Sequence, residues 1–316
     1  MTVLITGARG NLGSRLARRL VGHVACLRLM IHRTPLPTDL SAAPGVEVAH
    51  ADLARPETLP PALVGVDAVV HFAGVLFRPR PERFLPETNT RWFSNLVEAA
   101  LAAGVGRIVL VSFPHVEGPT TPAHPATGRL DGQPISMHAR TRLEEERLLF
   151  TRTEGTATTP VVLRSATVYG PGILMVEAAR RLARWHLLGV WRNPTWYHFI
   201  QTEDFLDAAA AAAVQHGVHG IYHLGDERPI TIQEFLDEAT HIWGLPRPRR
   251  MPWWTILFAA TACELFATAF GTLSPLTRDF VRLGRIHHCG DTQRMREELL
   301  PKLRYPTFDE GKETLR

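Results

Sequence analysis

The stretch Thr6-Gly7-Ala8-Arg9-Gly10-Asn11-Leu12-Gly13 constrains the fold of this chain more than any other feature. It follows a short apolar run, residues 2–6, and it leads into leucines at positions 12, 16 and 20, whose spacing of four predicts a helix. In such a turn Gly7 allows the sharp bend, Gly10 lets the backbone approach a pyrophosphate, and Gly13 lets the helix pack on the strand. The amides at the start of the helix then face the phosphates. The sequence therefore predicts a dinucleotide site at the first strand–helix turn.

Strand and helix patterns alternate along the first 170 residues. Further strands are predicted at 24–31, 46–49, 67–71, 107–112 and 160–163, and helices at 86–103 and 138–150. This alternation predicts an α/β fold with a doubly wound parallel Rossmann sheet. Beyond residue 170 the pattern becomes mostly helical, with helices predicted at 174–186, 203–215, 231–243 and 253–270 and short strands near 197–200 and 221–224. We therefore expect an NAD(P)-binding Rossmann domain over 1–170 and a smaller C-terminal lobe over 171–316, with segments near 197–225 returning to the Rossmann domain.

Composition and charge narrow the class of protein. Apolar residues make up 45% and charged residues 21% of the 316 residues, as is ordinary for a globular protein. The formal net charge of +4 comes from scattered basic residues, so we expect no nucleic-acid binding. The three cysteines are far apart and form neither a disulfide framework nor a zinc pattern, which favours a cytoplasmic location without a structural metal. The chain starts without a basic region ahead of an apolar stretch, so we expect no signal peptide.

One apolar segment, residues 253–273, complicates this interpretation. It is about long enough to span a bilayer, but Glu264 lies at its centre, where a charge is costly in a membrane. We therefore expect a buried or groove-lining helix, and peripheral contact with a membrane surface remains open as the alternative.

The choice of cofactor depends on the residues that follow the second strand. An acidic residue there would accept hydrogen bonds from the ribose 2′-hydroxyl of NAD. This chain instead has His32 and Arg33, and Arg9 lies inside the glycine turn. Because arginines suit a 2′-phosphate, the sequence predicts NADP, with NAD left open as the alternative.

The order and spacing of several motifs resemble the extended short-chain dehydrogenase/reductases, the NAD-dependent epimerase/dehydratase family. The likeness covers nearly the whole chain, and it rests on residues 6–13, Asp52-Leu53, His71-Phe72-Ala73-Gly74, Asn89-Thr90, the run from Leu163 to Gly172, His198 to Asp204, Tyr222 to Asp226 and Glu310-Gly311. The resemblance implies that the main chain of Gly7, Arg9, Gly10, Asn11, Leu12 and Gly13 holds the pyrophosphate. It also implies that Asp52 and Leu53 flank the adenine, that Ala73 and Gly74 lie against the adenosine ribose and phosphates, and that Ser165 to Val168 line the nicotinamide.

The catalytic positions depart from the family pattern. The family uses a Ser or Thr after the fifth strand and a Tyr-x-x-x-Lys pair in the next helix. The register that Thr141 and Glu146 set places His138 at the Tyr position and Arg142 at the Lys position. Counting back from Gly118 places Phe113 at the catalytic Ser position, with Ser112 before it and His115 after it.

Two interpretations of these departures remain open. In the first, the site is rebuilt: His138 exchanges the proton, Arg142 holds the ribose, and Ser112 and His115 are further polar candidates. The protein would then be an oxidoreductase acting on a carbonyl/alcohol pair. In the second, catalysis has lapsed and the protein is a dinucleotide-binding sensor, scaffold or structural subunit.

The aromatic character of the C-terminal half favours an apolar small-molecule substrate. Six residues carry this prediction: Trp185, Trp191, Trp196, Trp253, Trp254 and Phe258. Such residues are more often part of a core than of a pocket, so we expect a structure to decide between the two. The sequence leaves a homodimer open.

Overall fold

The core of the molecule is a single parallel sheet of seven strands. The structure, a computed structural model, describes residues 1–75, 78–274 and 276–316. The sheet strands are β1 (Thr2–Thr6), β2 (Cys26–Ile31), β3 (Val46–His50), β4 (Ala68–His71), β5 (Arg107–Ser112), β6 (Thr159–Ser165) and, later in the chain, β11 (Gly220–Leu224). Their order in the sheet is β11-β6-β5-β4-β1-β2-β3. The strand order reverses direction beside β1, which confirms the predicted doubly wound α/β fold.

Helices cover both faces of the sheet. One face packs against α1 (Asn11–Leu20), α7 (Thr202–Val214) and the turn Met295–Leu299. The other face packs against α3 (Pro60–Leu63), α4 (Trp92–Ala102) and α5 (Met137–Thr153). The short helix α2 (Thr38–Ser41) lies between β2 and β3, and a wide helical turn, Pro86–Arg91, leads into α4. Burial of the sheet on both faces explains why its strands are almost continuously apolar.

The remaining chain adds three short two-stranded pairings and a third apolar core. The strands are β7 (Thr167–Tyr169), β8 (Gly189–Trp191), β9 (Trp196–Tyr197), β10 (Phe199–Gln201), β12 (Ile230–Thr231) and β13 (Arg249–Met251). The helices are α6 (Leu174–Arg184), α8 (Ile232–Ile242), α9 (Trp253–Phe270), α10 (Arg278–Gly284) and α11 (Phe308–Gly311). In this core Phe199 stacks on Phe235 with ring centres 4.4 Å apart. Strand β11 nevertheless pairs with β6, so the C-terminal half of the sequence completes the sheet.

The C-terminal helix α9 differs from its prediction. We expected a buried or groove-lining helix, but only Ala260, Glu264 and Ala267 are buried among its 18 residues. Its length and mean hydropathy of 1.4 satisfy the requirements of a membrane span, and only 17% of it is buried. The expectation of burial is therefore wrong: α9 packs along one narrow strip and leaves the rest of its surface outside the core.

The aromatic residues of the C-terminal half also lie elsewhere than expected. Trp185, Trp254 and Phe258 are exposed by 61%, 61% and 74%. Trp191 is half-buried, and its indole N–H donates to Thr195 at 2.6 Å. These residues lie on the surface or pack against near neighbours, and they do not line an enclosed pocket in the part of the chain that the structure describes. They therefore do not support the apolar pocket that was predicted from them.

Candidate functional site

The glycine turn has the geometry that its sequence predicts. Gly7 has a φ of +69°, which favours glycine, and a Cβ built there would lie 2.8 Å from the backbone nitrogen of Ala73. A Cβ at Gly13 would lie 2.4 Å from the carbonyl oxygen of Gly7, so only glycine lets α1 approach β1 this closely. Gly10 precedes α1, and no side chain caps the helix there. The free positive end of the helix is thus available to an anion.

A cleft of about 470 Å³ opens at this turn, at the carboxyl ends of β1, β2, β3 and β4. Nine of the residues predicted to bind the cofactor line it, namely Gly7, Arg9, Gly10, His32, Arg33, Asp52, Leu53, Ala73 and Gly74. A cleft at the carboxyl edge of an open parallel sheet, where the strand order reverses, is the usual ligand site of such folds. The structure therefore brings together predictions that rest on sequence segments as far apart as residues 7 and 74.

The side chains at the ribose end of the cleft are held by specific contacts. Arg9 donates from Nε to the carbonyl oxygen of Pro35 at 3.2 Å, which ties the glycine turn to the loop after β2. His32 Nε2 lies 3.1 Å from Oδ2 of Asp52. Arg33 is exposed and forms no ion pair with any residue that the structure describes. Two arginines and a histidine thus line this end of the cleft, and Asp52, the only carboxylate among its described lining residues, is already paired with His32.

Several other predicted cofactor residues lie outside the lining of this cleft. The Asn11 side chain donates to the carbonyl oxygen of Gly172 at 2.9 Å, and Leu12 packs against two apolar cores. The Ser165 hydroxyl donates to the carbonyl oxygen of Ala166 at 2.9 Å, and Val168 packs against the same two cores as Leu12. These contacts account for the side chains, and they leave the main-chain roles implied by the resemblance as predictions.

Sequence reasoning missed part of the cleft. Phe72, Val75, Thr88 and Trp92 also line it. Trp92 begins α4 and packs against the core that contains Leu53. No motif identifies Trp92, because its place in the cleft depends on how α4 packs and not on a local pattern.

Helix α5 carries the two catalytic candidates that stand one turn apart, His138 and Arg142. Ser136 caps the helix by accepting a hydrogen bond from the amide of Ala139 at 3.1 Å. This cap fixes the start of the helix, so His138 lies in its first turn. The imidazole is buried, with the ring of Phe280 on α10 at a centre-to-centre distance of 5.0 Å.

A carboxylate from the C-terminal part of the chain holds His138. Nδ1 of His138 lies 2.6 Å from Oδ2 of Asp279, and Oδ1 of Asp279 accepts the amide of Met137 at 3.1 Å. Burial would raise the pKa of Asp279, but the hydrogen bond and charge of His138 outweigh it and lower that pKa. Because the carboxylate can only accept, Nδ1 carries the proton. The other ring nitrogen, Nε2, is buried and has no hydrogen-bond partner among the described residues.

Arg142 lies between a buried carboxylate and the cleft. Its Nη1 forms an ion pair with Oε2 of Glu145 at 2.7 Å. A Cβ built at Gly74 would lie 3.3 Å from Arg142 Nη2, so the guanidinium reaches the backbone that lines the cleft. Burial raises the pKa of Glu145 to about 7, against the opposing effect of Arg142. The Arg142 guanidinium is therefore held at the edge of the cleft by Glu145, a residue that the sequence did not indicate.

Ser112 belongs to a buried charge network. Its hydroxyl donates to the carboxylate of Glu146, which also accepts from the fully buried Arg164 at 2.7 Å. Arg164 pairs in turn with Glu117, and His223 lies 3.5 Å from the same carboxylate. Burial would raise the pKa of Glu117, but His223 and Arg164 lower it to about 2. This network joins the 114–134 loop to β6 and α5.

His115 is packed among aromatic rings. Its ring centre lies 3.8 Å from that of His288 and 5.4 Å from that of Phe113. Burial lowers the pKa of His115 to about 3, so the imidazole is neutral at physiological pH. No ring contact or hydrogen bond joins His115 or Ser112 to His138 among the described residues. The His287-His288-Cys289 run forms no metal-ligand cluster in the part of the chain that the structure describes.

Comparisons with known proteins agree with this architecture. The sequence profile of the NAD dependent epimerase/dehydratase family matches residues 3–225. A 2-alkyl-3-oxoalkanoate reductase from Stenotrophomonas maltophilia (strain K279a) is 29% identical over 269 residues, which cover 78% of this chain and 77% of the relative. A ceramide reductase from Caulobacter vibrioides (strain NA1000 / CB15N) is 28% identical over 279 residues, which cover 86% of this chain and 80% of the relative.

Solved structures share the fold over the full length of the chain. The dTDP-glucose 4,6-dehydratase DesIV from Streptomyces venezuelae, solved with NAD and TYD bound, superposes with a TM-score of 0.78 at 20% identity. The match covers 100% of this chain and 96% of the dehydratase. At this level of identity the likeness shows a common fold.

Proposed function

We propose that this chain, which belongs to the NAD-dependent epimerase/dehydratase family, is an NADP-dependent reductase that interconverts a carbonyl and an alcohol on an apolar small molecule. One observation carries the catalytic part of the proposal. His138 is held by Asp279 at 2.6 Å, and its buried Nε2 atom has no hydrogen-bond partner among the residues that the structure describes. A buried, oriented imidazole with one free nitrogen has the form of an acid–base group awaiting a substrate oxygen.

The cleft fits a dinucleotide. The close contacts at Gly7 and Gly13 and the uncapped start of α1 make a cradle for a pyrophosphate. Arg9 and Arg33 at the other end support a preference for the 2′-phosphate of NADP. Asp52 and Leu53 would flank the adenine, and Arg142 would hold the nicotinamide ribose in place of a lysine. When bound, the reduced dinucleotide supplies a hydride.

The residues of the chain would complete the reaction. Protonated His138 would donate the Nε2 proton to the substrate oxygen as the carbonyl carbon accepts the hydride, so that the products are an alcohol and the oxidised dinucleotide. The Asp279 carboxylate would stabilise the imidazolium and keep Nε2 aimed at the substrate. The positive charge of Arg142 would disfavour the protonated form of His138. The negative charge of Asp279 would offset this repulsion. Ser112 and His115 would have structural roles. The Ser112 hydroxyl is already bonded to Glu146, and the neutral His115 ring is stacked on His288.

The substrate class rests on the relatives. The two reductases named above act, by their names, on an alkyl-bearing oxoalkanoate and on a ceramide. Both names specify molecules that carry alkyl portions, in contrast to the nucleotide sugar of the dehydratase. These names support an apolar carbonyl compound as the proposed substrate of this chain.

Turnover of NADPH with a panel of apolar ketones tests the proposal. His138→Ala should lower kcat on the order of 100-fold or more, whereas His138→Tyr should retain a measurable part of it, because tyrosine is the family's acid–base group. Saturable NADPH binding without turnover on any ketone would instead support the lapsed, non-catalytic alternative. Equal turnover in the wild-type and His138→Ala proteins would remove His138 from the mechanism.

A further inference from the structure

Helix α9 presents a continuous apolar surface to the outside of the molecule. Six large apolar residues, between 60% and 74% exposed, form it: Trp254, Phe258, Leu265, Phe266 and Phe270 on the helix, and Leu273 just after its end. We call this set the apolar face of α9. The other exposed residues of α9 are Trp253, Ala259, Ala262, Thr268 and Ala269, so none of its exposed side chains is charged. An exposed patch of this kind is rare on a protein surface that meets only water.

The opposite side of α9 fixes the helix to the protein. Ala260, Glu264 and Ala267 follow the spacing of one helix face and are buried. Glu264 accepts the amide of Arg278 at 2.8 Å and its Nε at 2.6 Å, so the single carboxylate of α9 is neutralised at the start of α10. A helix held along its length in this way lies flat on the body of the protein instead of crossing a bilayer.

Positive charge lies close to the apolar face along the chain, although Arg250 is already paired with Asp237 on α8. Residues 247–286 contain six arginines (Arg247, Arg249, Arg250, Arg278, Arg282 and Arg285) and two carboxylates, a net charge of +4 that equals the formal net charge of the whole chain. Both carboxylates face inward: Glu264 pairs with Arg278, and Asp279 pairs with His138. Arg247, Arg249, Arg282 and Arg285 are exposed, and the Arg285 guanidinium lies 4.1 Å from the ring centre of Trp253.

The region beside the N-terminal end of α9 has the same character. Strand β13 pairs with β8, and the amide of Arg249 donates to the carbonyl oxygen of Leu188 at 3.0 Å. The loop before β8 exposes Trp185 and Leu187 by 61% and 65%. Tryptophans with neighbouring arginines are typical of the membrane–water interface, where an amphipathic ring meets lipid headgroups.

We infer that the apolar face of α9 docks on the surface of a bilayer that contains anionic lipids. The apolar residues would enter the boundary between headgroups and acyl chains, and the exposed arginines would contact lipid phosphates. A second copy of this chain fits the surface less well, because a twofold interface would place the same net positive region against itself. This inference goes beyond the proposed function and does not depend on it.

Co-sedimentation of the full chain with vesicles tests the inference. Vesicles of phosphatidylcholine with roughly a third of phosphatidylglycerol should bind the protein on the order of tenfold or more tightly than vesicles of phosphatidylcholine alone. Phe266→Glu should weaken binding to the anionic vesicles on the order of tenfold or more, because it places a charge in the apolar face. Arg249→Ala should weaken it about fivefold at low salt and less at high salt.

Val64→Glu is the matched control. Val64 is 68% exposed in the turn after α3, so the substitution introduces the same charge in the Rossmann part of the chain. It should leave vesicle binding unchanged. Equal binding of the two vesicle types, or none to either, would overturn the inference. The inference would also be overturned if the protein is a dimer without lipid and Phe266→Glu makes it a monomer. It would likewise be overturned if only detergent releases the protein from membranes. The Phe266→Glu protein should bind NADPH as tightly as the wild type does. A failure of the membrane-docking inference would therefore leave the proposed function to be tested separately.

Discussion

At the scale of single residues, the proposed chemistry depends on one contact between distant parts of the sequence. Asp279 holds Nδ1 of His138 at 2.6 Å and also accepts the amide of Met137. In the proposed reaction the carboxylate is a positioning residue, which would orient the imidazole without touching the substrate.

Asp279→Asn should therefore lower kcat on the order of tenfold or more and leave KM for NADPH unchanged. The amide retains the size of the side chain but loses the charge that stabilises the imidazolium. Steady-state kinetics across a pH series is the measurement, because the pH profile of kcat should also shift. Asp131→Asn offers a control, since Asp131 is exposed and its ion-pair partner among the described residues is Arg129 rather than His138. A variant that loses thermal stability while its pH profile stays unchanged would show that Asp279 is merely structural.

The preference for NADP is a second prediction at this scale. Arg33→Ala should weaken NADPH binding about tenfold and leave NADH binding almost unchanged, because only NADPH carries the 2′-phosphate. Titrations of the variant and the wild type with both dinucleotides measure the difference. An equal loss of affinity for both would place Arg33 elsewhere than at the 2′ position.

Individual residues were predictable where a local motif fixes them. The glycines, His32, Arg33 and Asp52 line the cleft because each follows a strand whose end the apolar pattern marks. Asp279 and Glu145 were not predictable. Asp279 is 141 residues from His138 along the chain, so no local pattern links them. The role of Glu145 depends on its complete burial, which is rare for a charged side chain.

At the scale of elements, the packing of α1 on β1 is the tightest constraint. Gly13→Ala should destabilise the fold by about 1–3 kcal/mol and abolish dinucleotide binding, because the new Cβ would meet the carbonyl of Gly7 at 2.4 Å. Denaturant unfolding and a binding titration measure the two effects. Gly106→Ala is the matched control: its Cβ would lie 3.4 Å from the carbonyl of Asp67, an ordinary contact. If both variants behave alike, close packing at Gly13 is not the reason for its glycine.

The prediction of elements succeeded where burial follows the apolar pattern and failed where charge is buried or apolar residues are exposed. β6 was predicted to end near Leu163, but it continues to Ser165, because Arg164 is neutralised by Glu146 and Glu117 and can be buried. α9 was expected to be a buried or groove-lining helix, but most of its large apolar side chains are exposed. In both elements the deciding contacts come from other parts of the chain.

At the scale of the whole molecule, buried neutral histidines make the fold sensitive to acid. Burial lowers the pKa of His115 to about 3, whereas a histidine in the unfolded chain titrates near 6.5. Between these values the unfolded state binds the proton preferentially. The stability that His115 contributes is therefore complete above about pH 6.5 and is lost as the pH falls towards 3.

His115→Phe preserves the stacked ring and removes the titration. Between pH 7 and pH 5 the wild-type protein should lose about 2 kcal/mol more of its unfolding free energy than the variant does. Urea unfolding at the two pH values measures this difference, and comparison with the wild type cancels the contributions of Glu145 and the other buried groups. Parallel pH dependence of the two proteins would show that His115 is accessible to protons in the folded state.

The most direct test of the account is a titration of the purified protein with NADPH and with NADH, followed by energy transfer from tryptophan to the reduced nicotinamide. Trp92 lines the cleft and is a suitable donor. We expect saturable binding of both dinucleotides, with NADPH tighter by about tenfold, or about 1.4 kcal/mol. Absence of binding by either dinucleotide would contradict the assignment of the cleft, and NADH binding as tightly as NADPH would contradict the role of Arg9 and Arg33.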